Sequence, residues 1–192
     1  KQAVRHGVDI IGHANYLDYE AVAMLEAERH RIFVGPGIAW EIALLDKGAQ
    51  LGLPREDMER LGYQREIDET ISSVKRLRES KVRVLIGGDY GLNITPHGTN
   101  AKDLEYFVDL FGMSDAEALL CATRDGGAAA NTEGMVGTLE EGKYADLVVV
   151  DGDPTIDVRV LQDHDNIVGV MKNGVMHCGL MQSNPYVSPF SQ

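Results

Sequence analysis

Three short apolar segments, each followed by a helical pattern, constrain the fold of this chain more than any other feature. Residues 8–14 (VDIIGHA), 31–38 (RIFVGPGI) and 82–86 (VRVLI) are rich in Val and Ile and are bounded by Gly, Pro or Asp, the composition of buried strands. Asp18 is placed to cap a helix over residues 18–30, in which Ala21, Met24, Leu25 and Ala27 recur at helical spacing. A second helical stretch is predicted over residues 55–80, with Ile67, Ile71, Val74 and Leu77 on one stripe. Strands separated by helices pair in parallel through crossovers, because a hairpin turn cannot join parallel neighbours. Further helices are predicted over residues 101–111 and 115–123, the second opened by a capping box of Ser114 and Glu117.

Beyond residue 134 the pattern changes. Residues 145–150 (ADLVVV) form a continuous apolar strand, and residues 167–171 and 175–178 flank Asn173-Gly174, the strongest short hairpin signal. A small β unit is therefore expected after the βα part. Residues 179–192 carry Asn, Pro and Ser without periodicity and are read as an extended tail. Three βα units do not close a barrel, and so small a β piece is marginal alone. Both parts read as the back end of a larger fold.

Composition excludes several functions. The 192 residues hold 18 Lys and Arg against 30 Asp and Glu, a net charge of −12. Such a chain offers no basic face for nucleic acid or an anionic membrane. No apolar run reaches the roughly 18 residues of a membrane span. Cys121 and Cys178 are the two cysteines; they make neither a disulfide framework nor a CxxC motif, so a reducing cytoplasm is expected. The first residues, Lys1 to His6, lack both a signal-peptide core and an initiator Met, and the chain is expected to begin inside a longer polypeptide. An exposed partial barrel face leads further to the expectation of a homo-oligomer.

Two polar residues stand where parallel strands end. His13 closes the first apolar segment, and Asp89 follows the third across Gly87-Gly88. Carboxyl ends of parallel strands form the site face of α/β sheets and barrels. A histidine and a carboxylate there need partners. A divalent metal serves both, and imidazole with carboxylate suits Zn²⁺, with Fe²⁺ or Mn²⁺ accepting the same donors. Gly87 and Gly88 are read as leaving room for an ion, a water and a substrate. The competing reading is a histidine donating to a carbonyl and an aspartate capping a turn.

A longer pattern bears on that choice. The run GTLEEGKYADLVVVDGDP (residues 137–154), with GVDIIGHANYLD (7–18), VLIGGDYGLNITPHG (84–98), GMSDAEALLCAT (112–123) and VGVMKNG (168–174), resembles the C-terminal half of the amidohydrolase superfamily. Within it the nearest likeness is to the group of imidazolonepropionase and the Xaa-Arg and Xaa-Pro dipeptidase-like enzymes. The resemblance implies an α/β fold: strands 6–8 of a (β/α)8 TIM barrel over residues 1–135, part of a small β-sandwich domain over 136–178, and a tail over 179–192. It matches His13 to the histidine ligand of the sixth strand and Asp89 to the aspartate of the eighth. The family's HxH pair, its bridging carboxylated lysine or glutamate and its fifth-strand histidine have no counterpart here. The N-terminal half of the same enzyme would supply them, and without it the chain is expected to be inactive.

The activity so implied is metal-dependent hydrolysis of a C–N bond, amide- or peptide-like, in a small molecule and not in proteins. The ion would be Zn, or else Fe or Mn, as one or two ions. Asp89 would act as ligand and proton carrier. His13 would hold a second metal or, in a one-metal site, position the water or polarise the carbonyl. A deaminase or cyclic-amide hydrolase on the same scaffold, and a non-catalytic assembly protein, are the alternatives. The sequence departs from the family in Gly12 before His13, where Glu is common, and Gly88 before Asp89, where Thr is common; both bear on the substrate.

Four nearby residues are candidate substrate contacts. Tyr90 and His97 lie in the loop after Asp89, with Asn93 and Thr95 between them, and loops at this face carry such contacts. Tyr16 follows His13, and Trp40 follows the second strand. Against these stand a solvated loop histidine and a packing tryptophan. His6, His30 and His164 are read as exposed, His177 and Cys178 as structural, and Cys121 as core.

Overall fold

The computed structural model describes residues 1–130, 132 and 134–179. The chain divides into two compact units, Lys1–Ser114 and Asp115–Gln192.

The first unit is built on three parallel strands in the order β1 (Ile10–Gly12), β2 (Phe33–Gly35) and β3 (Arg83–Val84). Ile10 pairs with Phe33 and Gly12 with Gly35, while Phe33 pairs with Arg83 and Val34 with Val84. The strands are shorter than the apolar runs that predicted them. β1 stops at Gly12 because His13 and Ala14 take left-handed backbone angles, φ 63° and 55°, which no strand accommodates. β2 stops at Gly35, and Ile38 opens a helix instead.

Six helices cover this unit: α1 (Gln2–Arg5), α2 (Tyr19–Ala27), α3 (Ile38–Lys47), α4 (Arg55–Leu61), α5 (Tyr63–Glu79) and α6 (Lys102–Asp109). Asp18 caps α2 as predicted, its carboxylate accepting the Ala21 N–H at 2.8 Å. α3 has no counterpart in the sequence expectations. Its segment is apolar nearly all round, and Ile38, Ala39, Ala43, Leu44 and Leu45 are all buried, so no amphipathic stripe announces it. The stretch predicted over 55–80 is two helices. Gly62 adopts φ 92° between them, a conformation that glycine takes without strain.

α5 buries Ile67, Val74 and Leu77 but also Thr70 and Ser73. The hydroxyls explain the intrusion. Ser73 Oγ donates to the Asn15 carbonyl at 2.8 Å and receives the Leu17 N–H at 3.2 Å. The loop leaving β1 is thus stitched to α5. The core is completed by Ile32, Val34, Ile38, Phe107 and Phe111, all fully buried.

The second unit contains α7 (Asp115–Ala122), α8 (Arg124–Ala129) and an antiparallel sheet of β4 (Leu147–Val150), β5 (Ile167–Lys172) and β6 (Val175–Gly179). Asn173 and Gly174 take φ 48° and 77°, the geometry of a two-residue hairpin. Asp146 secures that turn by accepting the Asn173 N–H at 2.6 Å. Two 3-10 segments, Val158–Gln162 and His164–Asn166, precede β5. Val158 is fully buried, and its N–H reaches the Asp115 carboxylate at 2.8 Å. Cys121 is buried, as read. Of the tail expected over 179–192, Gly179 ends β6, and the rest lies outside the described residues. No helix among the described residues is long and apolar enough to cross a membrane.

Candidate active site

Parallel pairing carries the ends of β1 and β3 to the same side of the sheet. The His13 N–H continues the ladder onto the Gly35 carbonyl at 2.8 Å, and the Leu85 N–H does so onto Val34 at 2.8 Å. The chain then leaves each strand through a left-handed residue, His13 at φ 63° and Asp89 at φ 59°. Only five non-glycine residues among those described have positive φ, and these two are among them. Such conformations concentrate at functional sites because the surroundings must hold them in place.

The two side chains meet. His13 Nε2 lies 3.9 Å from Asp89 Oδ2, and both side chains are about half exposed, at 48% and 54%. The separation is too long for a hydrogen bond, and neither side chain makes one among the described residues. An imidazole nitrogen and a carboxylate oxygen that face one another with no hydrogen bond among the described residues are donors of the kind that would hold a divalent cation. No third His, Cys, Asp or Glu joins them among the described residues.

Two glycines shape the pair. A Cβ on Gly37 would stand 2.4 Å from His13 Nδ1; the imidazole therefore rests directly on the backbone at the start of α3. Gly37→Ala is expected to displace the half-exposed ring. It should weaken metal retention while leaving the melting temperature close to that of the parent, which chelator competition and thermal melts will check. Unchanged retention would show that the ring position is not set there.

Gly88 has a different role from the one its sequence context implied. A Cβ there would lie 2.4 Å from Asp103 Oδ1 and 2.5 Å from Tyr90 Cε2, and one on Gly87 would lie 3.0 Å from Gly35 Cα. Protein atoms fill this space, so the glycines admit Asp103 and a close strand approach. Asp103, fully buried in the first turn of α6, accepts the Gly88 N–H at 2.8 Å and the Tyr90 hydroxyl at 3.1 Å. Burial pushes its carboxyl up to about 6 against those stabilising hydrogen bonds. Burial likewise raises the Tyr90 phenol, helped by the neighbouring Asp103 charge. An acid in the first turn of a helix reads from sequence as a dipole partner, so nothing marked Asp103 as a member of the site.

The other candidates take distinct places. The Tyr90 hydroxyl is committed to Asp103. His97 is exposed, and its imidazole lies against Gly91. Thr95 donates from Oγ1 to the Asp89 carbonyl at 3.1 Å, and its own carbonyl receives the Gly91 N–H at 2.7 Å. Tyr16 is exposed in the loop after His13, and Trp40 is half-buried in the first turn of α3.

Behind the His13 loop lies a polar cluster with no sequence signature. Asn15 donates to Glu66 at 2.5 Å, and Thr70 donates to Glu41 at 3.0 Å. Glu41 is 1% exposed. Burial, opposed by the Thr70 hydrogen bond and reinforced by the Glu66 charge, pushes its carboxyl up to about 7.

The sequence model of the Amidohydrolase family matches residues 1–176. This chain belongs to that family. Ochratoxinase of Aspergillus niger is 25% identical over 191 residues, covering 99% of this chain and 37% of that protein. Among solved structures, a prolidase complexed with N-methylphosphonate-L-proline superposes with a TM-score of 0.78 at 26% identity, over 93% of this chain and 42% of that one. A Xaa-Pro dipeptidase with methionine in its active site gives 0.78 at 28%, over 93% and 42%. The chain thus spans about two fifths of the relatives it matches, and its mixed α/β structure corresponds to part of theirs.

Proposed function

We propose that this chain is the C-terminal part of a metal-dependent amidohydrolase that cleaves an amide- or peptide-like C–N bond in a small molecule. The observation that carries the proposal is the facing of His13 and Asp89 at 3.9 Å from the ends of β1 and β3. Under this reading β1, β2 and β3 are the sixth to eighth strands of a (β/α)8 barrel, and β4–β6 belong to a small β domain. The exposed Val8 and Ile10, 42% and 49%, support it, since a preceding barrel strand would cover them. The substrate class is supported by relatives named as an ochratoxinase, a prolidase and a Xaa-Pro dipeptidase.

His13 and Asp89 would hold the ion, with Zn²⁺ the best match to one nitrogen and one carboxylate donor and Fe²⁺ or Mn²⁺ able to replace it. A bound metal of this kind brings a water toward ionisation at neutral pH and polarises a carbonyl oxygen. Asp89 accepts the proton released by the water as that water's oxygen bonds to the carbonyl carbon. It then returns the proton to the leaving nitrogen as the C–N bond breaks. Half-exposure suits this task, because the carboxylate is reachable by water and substrate. His13 orients and holds the ion. His97, Tyr16, Trp40 and the ring of Tyr90 lie in the elements that follow the three strands, where they would line a substrate. The remaining ligands would come from residues outside these 192.

Metal content decides the proposal. The complete polypeptide, purified without added metal, is expected to carry one or two equivalents of Zn, Fe or Mn by elemental mass spectrometry. It should also lose amide hydrolysis on chelation. A polypeptide without bound metal would refute the hydrolase reading.

A further inference from the structure

Resting on that reading, we propose that Asp103 is a positioning residue for Asp89. Its buried carboxylate binds the Gly88 N–H on one side of Asp89 and the Tyr90 hydroxyl on the other, and so aims the Asp89 side chain at His13.

Asp89 is a left-handed residue on a half-exposed strand end. Among the described residues its own side chain makes no hydrogen bond that would hold this conformation. The restraint comes from its neighbours. Asp103 Oδ2 accepts the Gly88 N–H at 2.8 Å, and Oδ1 accepts the Tyr90 hydroxyl at 3.1 Å. The Gly87 N–H adds to the same carboxylate. On the far side, Thr95 Oγ1 holds the Asp89 carbonyl at 3.1 Å. The peptide unit that enters Gly88 is therefore held from α6, and the one that leaves Asp89 is held from its own loop. A metal ligand needs this, since donors must be held within a fraction of an ångström of a productive geometry by partners that are themselves locked.

Two features show that the arrangement is built for Asp103. Position 88 carries no side chain, and any Cβ there would collide with both Asp103 oxygens, at 2.4 and 2.6 Å. Asp103 also sits in the first turn of α6, yet its carboxylate accepts from the Gly88 N–H and the Tyr90 hydroxyl in the loop around Asp89. An ordinary helix-start acid is solvated; this one is fully buried.

The test uses Asp103→Asn and Tyr90→Phe in the complete polypeptide. Asparagine keeps the shape but puts an NH₂ donor at one of the two oxygen positions, so the Gly88 N–H and the Tyr90 hydroxyl no longer each meet a charged acceptor. Competition against a zinc chelator is expected to show affinity weakened by about 10–100-fold in Asp103→Asn, the range for loss of a ligand's supporting partner, and by less in Tyr90→Phe. Turnover should fall with little change in KM. The Gly88 amide should exchange with deuterium faster than in the parent. If Asp103→Asn fails to fold, Tyr90→Phe decides, because it removes one hydrogen bond and leaves the carboxylate in place. Variants that melt lower but keep parental zinc affinity and turnover, measured well below their melting points, would overturn the inference and leave Asp103 a packing residue. A parent that binds none of Zn, Fe or Mn would overturn the hydrolase reading and this role together, whereas slow Gly88 exchange in that parent would still show the clamp to exist.

Discussion

Under the proposed function, Asp89→Asn in the complete polypeptide is expected to cut amide hydrolysis by about 10²–10⁴-fold, the contribution of a positioned acid–base group, with no loss of folding. The substitution is unusually clean at this position. Asp89 sits at φ 59°, and asparagine tolerates the left-handed region as well as aspartate does. The side chain is about half exposed and makes no hydrogen bond among the described residues, so its removal strands no buried partner. Changes at such positions usually shift stability by no more than about 0.5 kcal/mol. In the proposed mechanism, what the amide could not do is take the proton of the attacking water or hand it to the leaving nitrogen. Alanine would confuse the result by adding backbone strain. Steady-state kinetics on the purified variant, with a thermal melt alongside, checks the expectation. Turnover within a few-fold of the parent would remove Asp89 from the chemistry.

Glu41→Gln is expected to change how stability depends on pH, by as much as about 3 kcal/mol between acid and mildly alkaline solution. Glu41 is almost fully buried, accepts the Thr70 hydroxyl, and is flanked by Asn15 and Glu66. Burial raises its carboxyl from 4.5 to about 7 in the folded chain. Above pH 4.5 the unfolded chain releases this proton while the folded chain keeps it. Folded protein then binds more protons than unfolded, so stability falls as pH rises from 4.5 to about 7 and levels off beyond. A shift of this size corresponds to about 3 kcal/mol at roughly 1.4 kcal/mol per unit. Protonation also resolves a packing problem. Glu41 Oε1 and Asn15 Oδ1 are both buried acceptors without donors, and a protonated carboxyl turns one of them into a donor.

Glutamine keeps the acceptor for Thr70 and a donor for Asn15 without a charge to remove. The variant should therefore gain on the parent from pH 5 to about pH 7, with the gain levelling off by pH 8. Asp103, pushed up to about 6 by burial, tilts the curve of both proteins alike and cancels in the difference. Denaturant unfolding of parent and variant across that range provides the measurement. A difference that stays constant or shrinks with pH would mean that Glu41 is ionised in the fold.

The sequence by itself determined the alternation of strands and helices, the later hairpin, and the placing of His13 and Asp89 after strands. Its signals for them are local: Val and Ile runs for three strands, Asp18 ahead of a helix, Asn173-Gly174 between two strands, and His13 and Asp89 at the ends of apolar segments. Each depends on residues a few positions apart, and the structure carries the helix cap and the hairpin as read and the three strands in shortened form. The break at Gly62 and the buried helix α3 were not legible, because one rests on a single left-handed glycine and the other lacks an amphipathic face. Only the tertiary structure decided which residues support the pair. Gly37 beneath His13, Asp103 behind Asp89, and Glu41 with Asn15 behind the His13 loop become partners across 14 to 26 residues of chain, as their numbering shows. None has a spacing rule, since the first and last are brought together by the pairing of β1 with β2 and the second by the return of α6 onto the loop after β3. A glycine or a buried carboxylate discloses its purpose only when the atoms that occupy the space around it are known.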